Sequence, residues 1–395
     1  MRSKMLGLLV VLALLLGTFG TAFAQDAAPA PFCGNLSEED CTTLKDAQAA
    51  MMEVSSYQSS ATYKANISGI PGLPADPIDV NVGVDGAFVM DDSALAAAQG
   101  LAGKDQQAIM AALAEDAQPL ADLIKGWSVD ATINADMTPA LADVASAQAG
   151  VPIPASASVG VILTGGVLYL DLSAFTDLGA PEGWIGIPVG ELLQAQVDAG
   201  VFKEAAAQMD PANLDATTAA SLGLTSMLTN PQAFEKFMSV EKSDGADGAS
   251  VFTTKLDVAS LVASPEFADM IKGLADSGAF AESGLTSADI EANLPMLGMM
   301  APMIFADLII SNSTTIDADS HVTNSSSELS WDLSGLLQMA AMSGQLPAGI
   351  DASKPVAMSF TSSVDNSDFD AEQTIEAPAD AMVLPAESFY AQPAQ

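Results

Sequence analysis

The sequence predicts an α+β protein built on a large curved antiparallel sheet, a half-barrel of about twelve strands with helices packed on one face. Most strand-like segments alternate apolar and polar residues, as in sheets with one solvated face. Tight-turn signals such as Gly165-Gly166 join neighbouring segments as hairpins. Helical segments lie between the hairpins and provide the layer that covers the apolar sheet face.

The first 24 residues are expected to be an export signal. Arg2 and Lys4 supply positive charge, Met5 to Leu16 is an apolar run, and Ala22-Phe23-Ala24 matches a cleavage site between small residues. The apolar run is short for the alternative, an uncleaved membrane anchor. We therefore expect a secreted, periplasmic or otherwise extracytoplasmic protein with no integral membrane span after cleavage.

Composition limits the range of partners. The chain of 395 residues contains 50 acidic and 12 basic residues, for a net charge of −38. Loss of Arg2 and Lys4 with the signal would make the charge more negative and leave no arginine. Nucleic-acid phosphates and anionic lipid headgroups both require cationic contacts, so neither is an expected partner.

We expect the remaining chain to form one domain. Residues 25–36 are Ala/Pro-rich and predicted to be flexible, residues 37–385 form the domain, and residues 386–395 form a tail. A boundary between two halves near residue 230 is an alternative. One continuous sheet is preferred because each half alone would leave exposed strand edges.

The two cysteines, Cys33 and Cys41, are predicted to form a disulfide because export places them in an oxidising compartment. A metal site is not expected, since His321 is the single histidine and lies far from both cysteines. The sequence also implies no cofactor.

The first half contains both helical and strand patterns. Acidic residues after Ser37 favour a helix start, and the Asp85-Gly86 dipeptide is a hairpin signal. A long strand, a proline-containing connector and a hairpin occur twice, as a weak internal repeat. The predicted elements are a helix at 37–54, a strand at 55–70, a hairpin at 78–90, helices within 93–125, a strand at 126–136, a connector at 138–154, strands at 155–163 and 167–172, and helices within 188–228.

The second half continues the pattern with further hairpins. Strands are predicted around the acidic turn at 243–248, around Asp319, and in a last hairpin that returns through 369–375. The predicted elements are strands at 237–242, 250–256, 307–317, 320–333, 356–366 and 369–375, and helices at 258–281, 287–300 and 336–342.

Enzyme signatures are missing from the sequence. There is no G-x-S-x-G nucleophile elbow and no G-x-x-x-x-G-K-S/T phosphate loop. His321 stands among Ser, Thr and Asp residues on a predicted strand and is interpreted as an exposed strand histidine. The sequence therefore predicts a protein without catalytic residues.

A ligand cavity is the most specific functional expectation. The chain has 19 methionines, four of which cluster at helical spacing, and methionine suits adaptable apolar surfaces. Ordinary core packing is the alternative for these residues. The predicted cavity residues are Trp127, Val161, Leu163, Leu168, Leu170, Trp184, Met296, Met299, Met300 and Met303.

The order of elements resembles the LolA-like superfamily, including the LppX/LprG-type lipoproteins. The resemblance rests on a helix running into Val54-Ser55-Ser56-Tyr57, on paired hairpins, on Gly183 to Pro188 before a helix, and on the closing segment Ile375 to Ala381. It implies a curved sheet that wraps helices around an apolar cavity for acyl chains. The residues before Cys33 differ from a lipidation site, and the cavity arginine of LolA has no counterpart.

These observations predict a secreted non-enzymatic binding protein that holds a lipid or other apolar ligand between sheet and helices. The alternative is a structural or interaction module of the cell envelope with no small ligand, whose partner would be another envelope protein.

Overall fold

All the described strands belong to one sheet. The computed structural model describes residues 31–69, 77–101, 118–201, 231–276, 287–342 and 355–390, together with 109, 112, 115 and 116. Twelve strands follow the order β12-β6-β5-β4-β3-β2-β1-β11-β10-β9-β8-β7. Neighbours are antiparallel except β12 and β6, which are parallel. The predicted α+β class with a large curved antiparallel sheet is confirmed, whereas the predicted signal at 1–24 lies outside the described residues.

The strands have the following bounds: β1 Ser56–Ser68, β2 Ile78–Met90, β3 Trp127–Met137, β4 Ser156–Thr164, β5 Val167–Asp171, β6 Trp184–Ile187, β7 Met238–Asp244, β8 Ser250–Leu256, β9 Leu308–Ile316, β10 Val322–Asp332, β11 Ala357–Ser367 and β12 Met382–Val383.

The described α-helices are α1 Glu38–Met51, α2 Asp92–Leu101, α3 Gln118–Gly126, α4 Pro139–Ala149, α5 Val189–Asp198, α6 Val258–Val262, α7 Pro265–Asp276, α8 Ser287–Ile304, α9 Ser334–Met342 and α10 Glu387–Tyr390. Short 3₁₀ helices occur at Ser173–Leu178, Pro231–Phe237 and Ala246–Gly248. Within this part of the chain, no helix has the length and apolarity needed to span a bilayer.

The hairpin at Gly165-Gly166 is confirmed. Thr164 of β4 pairs with Val167 of β5, and the two glycines have φ of 57° and 77°. A two-residue turn with positive φ at both positions matches the right-handed twist of its flanking strands. Glycine adopts this backbone conformation without the clash that a Cβ would cause.

The hairpin predicted at Asp85-Gly86 is wrong. Both residues lie inside the continuous strand β2, and neither has a positive φ. Asp85 is paired with Ser60 on one side and Thr132 on the other. Pairing with β1 and β3 therefore keeps the backbone extended, against the local turn preference. The weak internal repeat loses its second hairpin as a result.

Two other predicted elements need correction. The connector expected at 138–154 contains the helix α4, which begins at Pro139 and ends at Ala149. The next residue, Gly150, has the left-handed backbone conformation. The last strand expected at 369–375 is not formed. Asp368 and Asp370 have positive φ, and the Asp370 backbone N–H donates to the Ser56 carbonyl oxygen at 2.7 Å, so the chain bends away from β11.

The two faces of the sheet differ in chemistry, and strand register assigns residues to each. The inner face carries Tyr57 of β1, Phe88 of β2 and Val129 of β3, which are register partners and are buried. The outer face carries polar pairs such as Ser60 with Asp85, joined by a hydrogen bond of 2.6 Å. This alternation is the one that the sequence predicts.

A continuous core covers one end of the inner face. Ala47 and Met51 of α1 cluster with Phe252 of β8, Ile316 of β9 and Val322 of β10, all at most 8% exposed. The same cluster extends through Tyr57 and Phe88 to β4, β5 and α5. We call the region where α1 covers the sheet the packed end.

The N-terminal segment is attached to the edge strand β7. The Cys33–Cys41 disulfide is present and joins the segment to the first turn of α1. Asn35 makes two hydrogen bonds to β7: its side-chain amide donates to the Val240 carbonyl and accepts from the Val240 N–H, both at 2.9 Å. Lys242 of β7 also donates to Asp40 of α1 at 2.6 Å.

Candidate functional site

A cavity of about 650 Å³ lies on the inner face, at the end of the strands away from the packed end. We call this region the open end. Its lining residues come from seven neighbouring strands, β2, β1, β11, β10, β9, β8 and β7, and from two segments above them. They are Tyr63, Lys64, Ala65, Val80, Val82, Phe234, Met238, Thr254, Leu256, Leu261, Ile310, Ser311, Asn312, Ser327, Glu328, Leu329, Phe360, Thr361 and Ser362.

The side chains that point into the cavity are neutral. Tyr63 and Ala65 share the inner face with Ala61, so Lys64 between them points to the outer face. The same alternation places the Glu328 side chain outside, between Ser327 and Leu329. The cavity therefore presents aliphatic and aromatic groups, hydroxyls and one amide, without a charged side chain among its described lining residues.

The floor is made of two register rows, one apolar and one that carries a polar pair. Leu329, Phe360 and Ile310 occupy one register row across β10, β11 and β9. In the next row, Asn312 donates a hydrogen bond of 2.9 Å from its side-chain amide to the Ser327 hydroxyl. Pockets of 300 to 1,000 Å³ with apolar walls and a few placed polar groups are typical small-molecule sites.

Two short helical segments form the roof of the cavity. Phe234 comes from the 3₁₀ helix Pro231–Phe237, and Leu261 comes from α6. Asp257 caps α6 by accepting hydrogen bonds from the Ser260 N–H at 2.9 Å and the Ser260 hydroxyl at 2.6 Å. The hydrogen bond from the Ser260 hydroxyl is the largest cause that lowers the pKa of Asp257 below its usual value, and the bond from the Ser260 N–H adds to it.

An ion pair joins the roof to the next helix. Lys236 donates to Glu266 of α7 at 2.6 Å. The hydrogen bond between them raises the pKa of Lys236 and lowers that of Glu266. Both groups are solvent-exposed, so the pair positions the segment more than it stabilises the fold.

Helix α8 completes the helical group at the open end. It contacts α6 and α7, and its last turn is attached to the sheet by Trp331 of β10. The Trp331 indole N–H donates to the Ile304 carbonyl at 3.2 Å, and its ring stacks on Phe305 with centroids 5.5 Å apart. Helix α8, which packs on the roof helix α6, is thus attached directly to the sheet.

None of the ten predicted cavity residues lines this cavity. Five of them lie on the inner face of β3, β4 and β5, packed in or against the hydrophobic core: Trp127, Val161, Leu163, Leu168 and Leu170. Helices α3 and α5 contact these strands and cover that part of the sheet.

The other predicted cavity residues are elsewhere. Trp184 lies on the outer face, where its ring packs over Gly160, because its register partner Asp171 faces outward. The four methionines of α8 are exposed: Met296 by 53%, Met299 by 79%, Met300 by 38% and Met303 by 50%. The structure therefore does not bring the ten residues together around the cavity at the open end.

Sequence reasoning missed the residues of the open end. Ile310, Leu329 and Phe360 alternate with polar residues in the same way as buried core positions do. A weak signal was available, since Asn312, Ser327 and Ser362 place polar groups on the inward parity of three adjacent strands. A fully packed core rarely contains such a row without many hydrogen bonds.

The single histidine, His321, lies between β9 and β10. His321 stacks on Phe369 with ring centroids 4.5 Å apart, and its Nδ1 lies 3.6 Å from the Asp317 carboxylate. The described part of the chain contains no cluster of His, Cys, Asp and Glu arranged to hold a metal ion. The apolar cavity is therefore the feature that best supports a functional proposal.

No protein-family model matches the chain, and no curated protein has a significantly similar sequence.

Proposed function

We propose that the protein is a non-enzymatic binding protein that holds a neutral, mainly apolar ligand, such as an acyl chain, in the cavity at the open end. The observation that carries the proposal is a cavity of about 650 Å³ whose inward side chains are neutral and largely apolar. Transferring an apolar chain from water to such walls is favourable in proportion to the area buried.

The polar pair in the floor indicates how such a ligand would be oriented. Asn312 and Ser327 offer donor and acceptor groups in the floor, so an ester, hydroxyl or amide of the ligand finds a partner there. A charged headgroup has no counter-charge among the inward side chains and belongs at the solvent-exposed mouth. The resemblance to LolA-like carriers implies the same class of ligand.

The first test is binding of a fluorescent fatty acid to the full secreted chain, together with mass spectrometry of organic extracts from natively purified protein. We expect saturable binding and a co-purifying lipid. A protein that is consistently empty and leaves the probe fluorescence unchanged would overturn the proposal and favour the envelope interaction module.

Two adjacent residues of β10 provide a matched pair of variants. Ser327 points into the cavity, whereas Ser326 points to the outer face. Ser327→Phe should fill the cavity and abolish probe binding, and Ser326→Phe should leave it intact. Equal probe affinity in both variants would place the binding site elsewhere.

A further inference from the structure

The methionines of α8 form an exposed stripe that the proposed ligand cavity does not use. Met296, Met299, Met300 and Met303 follow the i, i+3, i+4, i+7 spacing, which places them on one side of a helix. With 3.6 residues per turn they cover about 100° of the helix surface. We call these four residues the methionine stripe.

The opposite side of α8 is the side that packs. Ala301 is fully buried, and Gly298 faces the backbone of Ala263 at the end of α6. The hydrocarbon residues Leu294, Leu297 and Ile304 of the same helix are half-buried. The helix thus turns its thioethers outward, while Leu294, Leu297 and Ile304 are less exposed.

We propose that the methionine stripe binds a soft monovalent cation, Cu(I) or Ag(I), through its thioether sulfurs. Thioether ligands select soft ions such as Cu(I), whereas the hard cations prefer oxygen. Residues three and four apart on a helix have Cβ atoms about 5–6 Å from each other, which is close enough for flexible methionine side chains to bring their sulfurs to one ion. Met296, Met299 and Met300 form one such set, and Met299, Met300 and Met303 form another.

Two properties of the chain favour this assignment. The net charge of −38 attracts cations to the surface. Both cysteines are bridged, so no thiolate competes for a soft ion. The expectation of no metal site rested on histidine and cysteine ligands, and it does not extend to thioether sulfurs.

The test uses the full chain with Ag(I) in chloride-free buffer, and Cu(I) under ascorbate with a chromophoric chelator as competitor. The variant M296L/M299L/M300L/M303L removes the sulfurs and keeps apolar side chains of similar volume. The matched control, M137L/M270L/M358L/M382L, changes methionines on four other elements. Loss of cavity-probe binding in either variant would report misfolding.

We expect tight binding of Ag(I) and Cu(I) to the unmodified protein and to the control, with a sulfur-only first shell in X-ray absorption. The α8 variant should bind at least about 100-fold more weakly, since even outer-shell partners of a metal contribute about 10- to 100-fold. Equal affinity in all three proteins, or equal loss in both variants, would overturn the proposal.

A second measurement needs no variant. Peroxide converts exposed methionine to the sulfoxide, and a bound ion shields the sulfur lone pairs. Peptide mass spectrometry of the unmodified protein should show that Ag(I) protects the methionine stripe and leaves the equally exposed Met382 reactive. Oxidation of the stripe at the same rate with and without Ag(I) would contradict the assignment.

Discussion

The two ends of the inner face have similar strand patterns and different coverings. At the packed end, Phe252 and Ile316 point at α1 and are at most 2% exposed. At the open end of the same sheet, Phe360 points at the cavity and is 44% exposed. Alternation along a strand therefore decides which residues face inward, while the position of the helices decides whether those residues form core or cavity.

The difference separates stability from binding. Aromatic residues at the packed end exclude water and contribute to the free energy of unfolding. At the open end, Phe360 keeps part of its surface in water, so a bound ligand would bury apolar surface that the fold leaves exposed. Truncating an aromatic ring in each region tests this separation.

The largest expected effect comes from truncating a ring in the continuous core that includes the packed end. Phe88 is 3% exposed and stacks on Tyr57 with ring centroids 4.9 Å apart. Phe88→Ala should cost about 3–5 kcal/mol of unfolding free energy in urea denaturation, because it removes buried area and leaves a void. Phe360→Ala at the open end should cost less than about 1 kcal/mol and weaken binding of the fatty-acid probe. Equal destabilisation by the two variants would show that the open end is packed in solution.

An intermediate effect is expected for the disulfide. The Cys33→Ser, Cys41→Ser double variant opens a short loop and should cost about 2 kcal/mol, measured by urea denaturation of oxidised and variant protein. Removal of the disulfide should leave binding of the fatty-acid probe unchanged, since the disulfide lies beside α1 at the packed end. Parallel loss of probe affinity would mean that the two ends are coupled.

The smallest effect concerns the cap of the roof helix α6. Asp257→Ala removes the acceptor for Ser260 and should cost about 1 kcal/mol at neutral pH. The native-state pKa of Asp257 is lowered, so the carboxylate stabilises the fold above the ordinary aspartate pKa of 3.8. This contribution is lost as the pH falls through the lower native value.

The pH dependence of that difference is the measurement. The difference in free energy of unfolding between the unmodified protein and Asp257→Ala should be constant above about pH 5 and become smaller in more acidic solution. Asp257→Asn is the control, because asparagine also caps helices but does not titrate in this range. A gap that is the same at every pH would contradict the role assigned to the ionised cap.

Local chemistry explains the elements that were predictable. Gly165-Gly166 forms its hairpin because both positions need a positive φ, and Cys33 and Cys41 are close enough in sequence to pair. Asp85-Gly86 carries a similar local signal, but strands on both sides of β2 hold it extended. Here sheet pairing, which involves residues distant in sequence, outweighs the turn preference.

The location of the cavity was not predictable for a related reason. The spacing of the methionine stripe indicates a helix, yet spacing alone does not say which side of a helix packs. The side of α8 that packs is the one with small residues, since Gly298 and Ala301 allow the helix to approach its neighbours closely. Similarly, Leu329 and Phe360 look like core until the position of the roof is known.

The side-chain amide of Asn35 has a consequence for how copies of this protein behave toward one another. β7 is the last strand of the sheet, and its outer N–H and C=O groups are a template on which a second chain could add a strand. The side-chain amide of Asn35 pairs with the N–H and the C=O of Val240, as a backbone amide of an adjacent strand would. Because the disulfide holds Asn35 in place, the N-terminal segment blocks this part of the β7 edge from pairing with a strand of another copy.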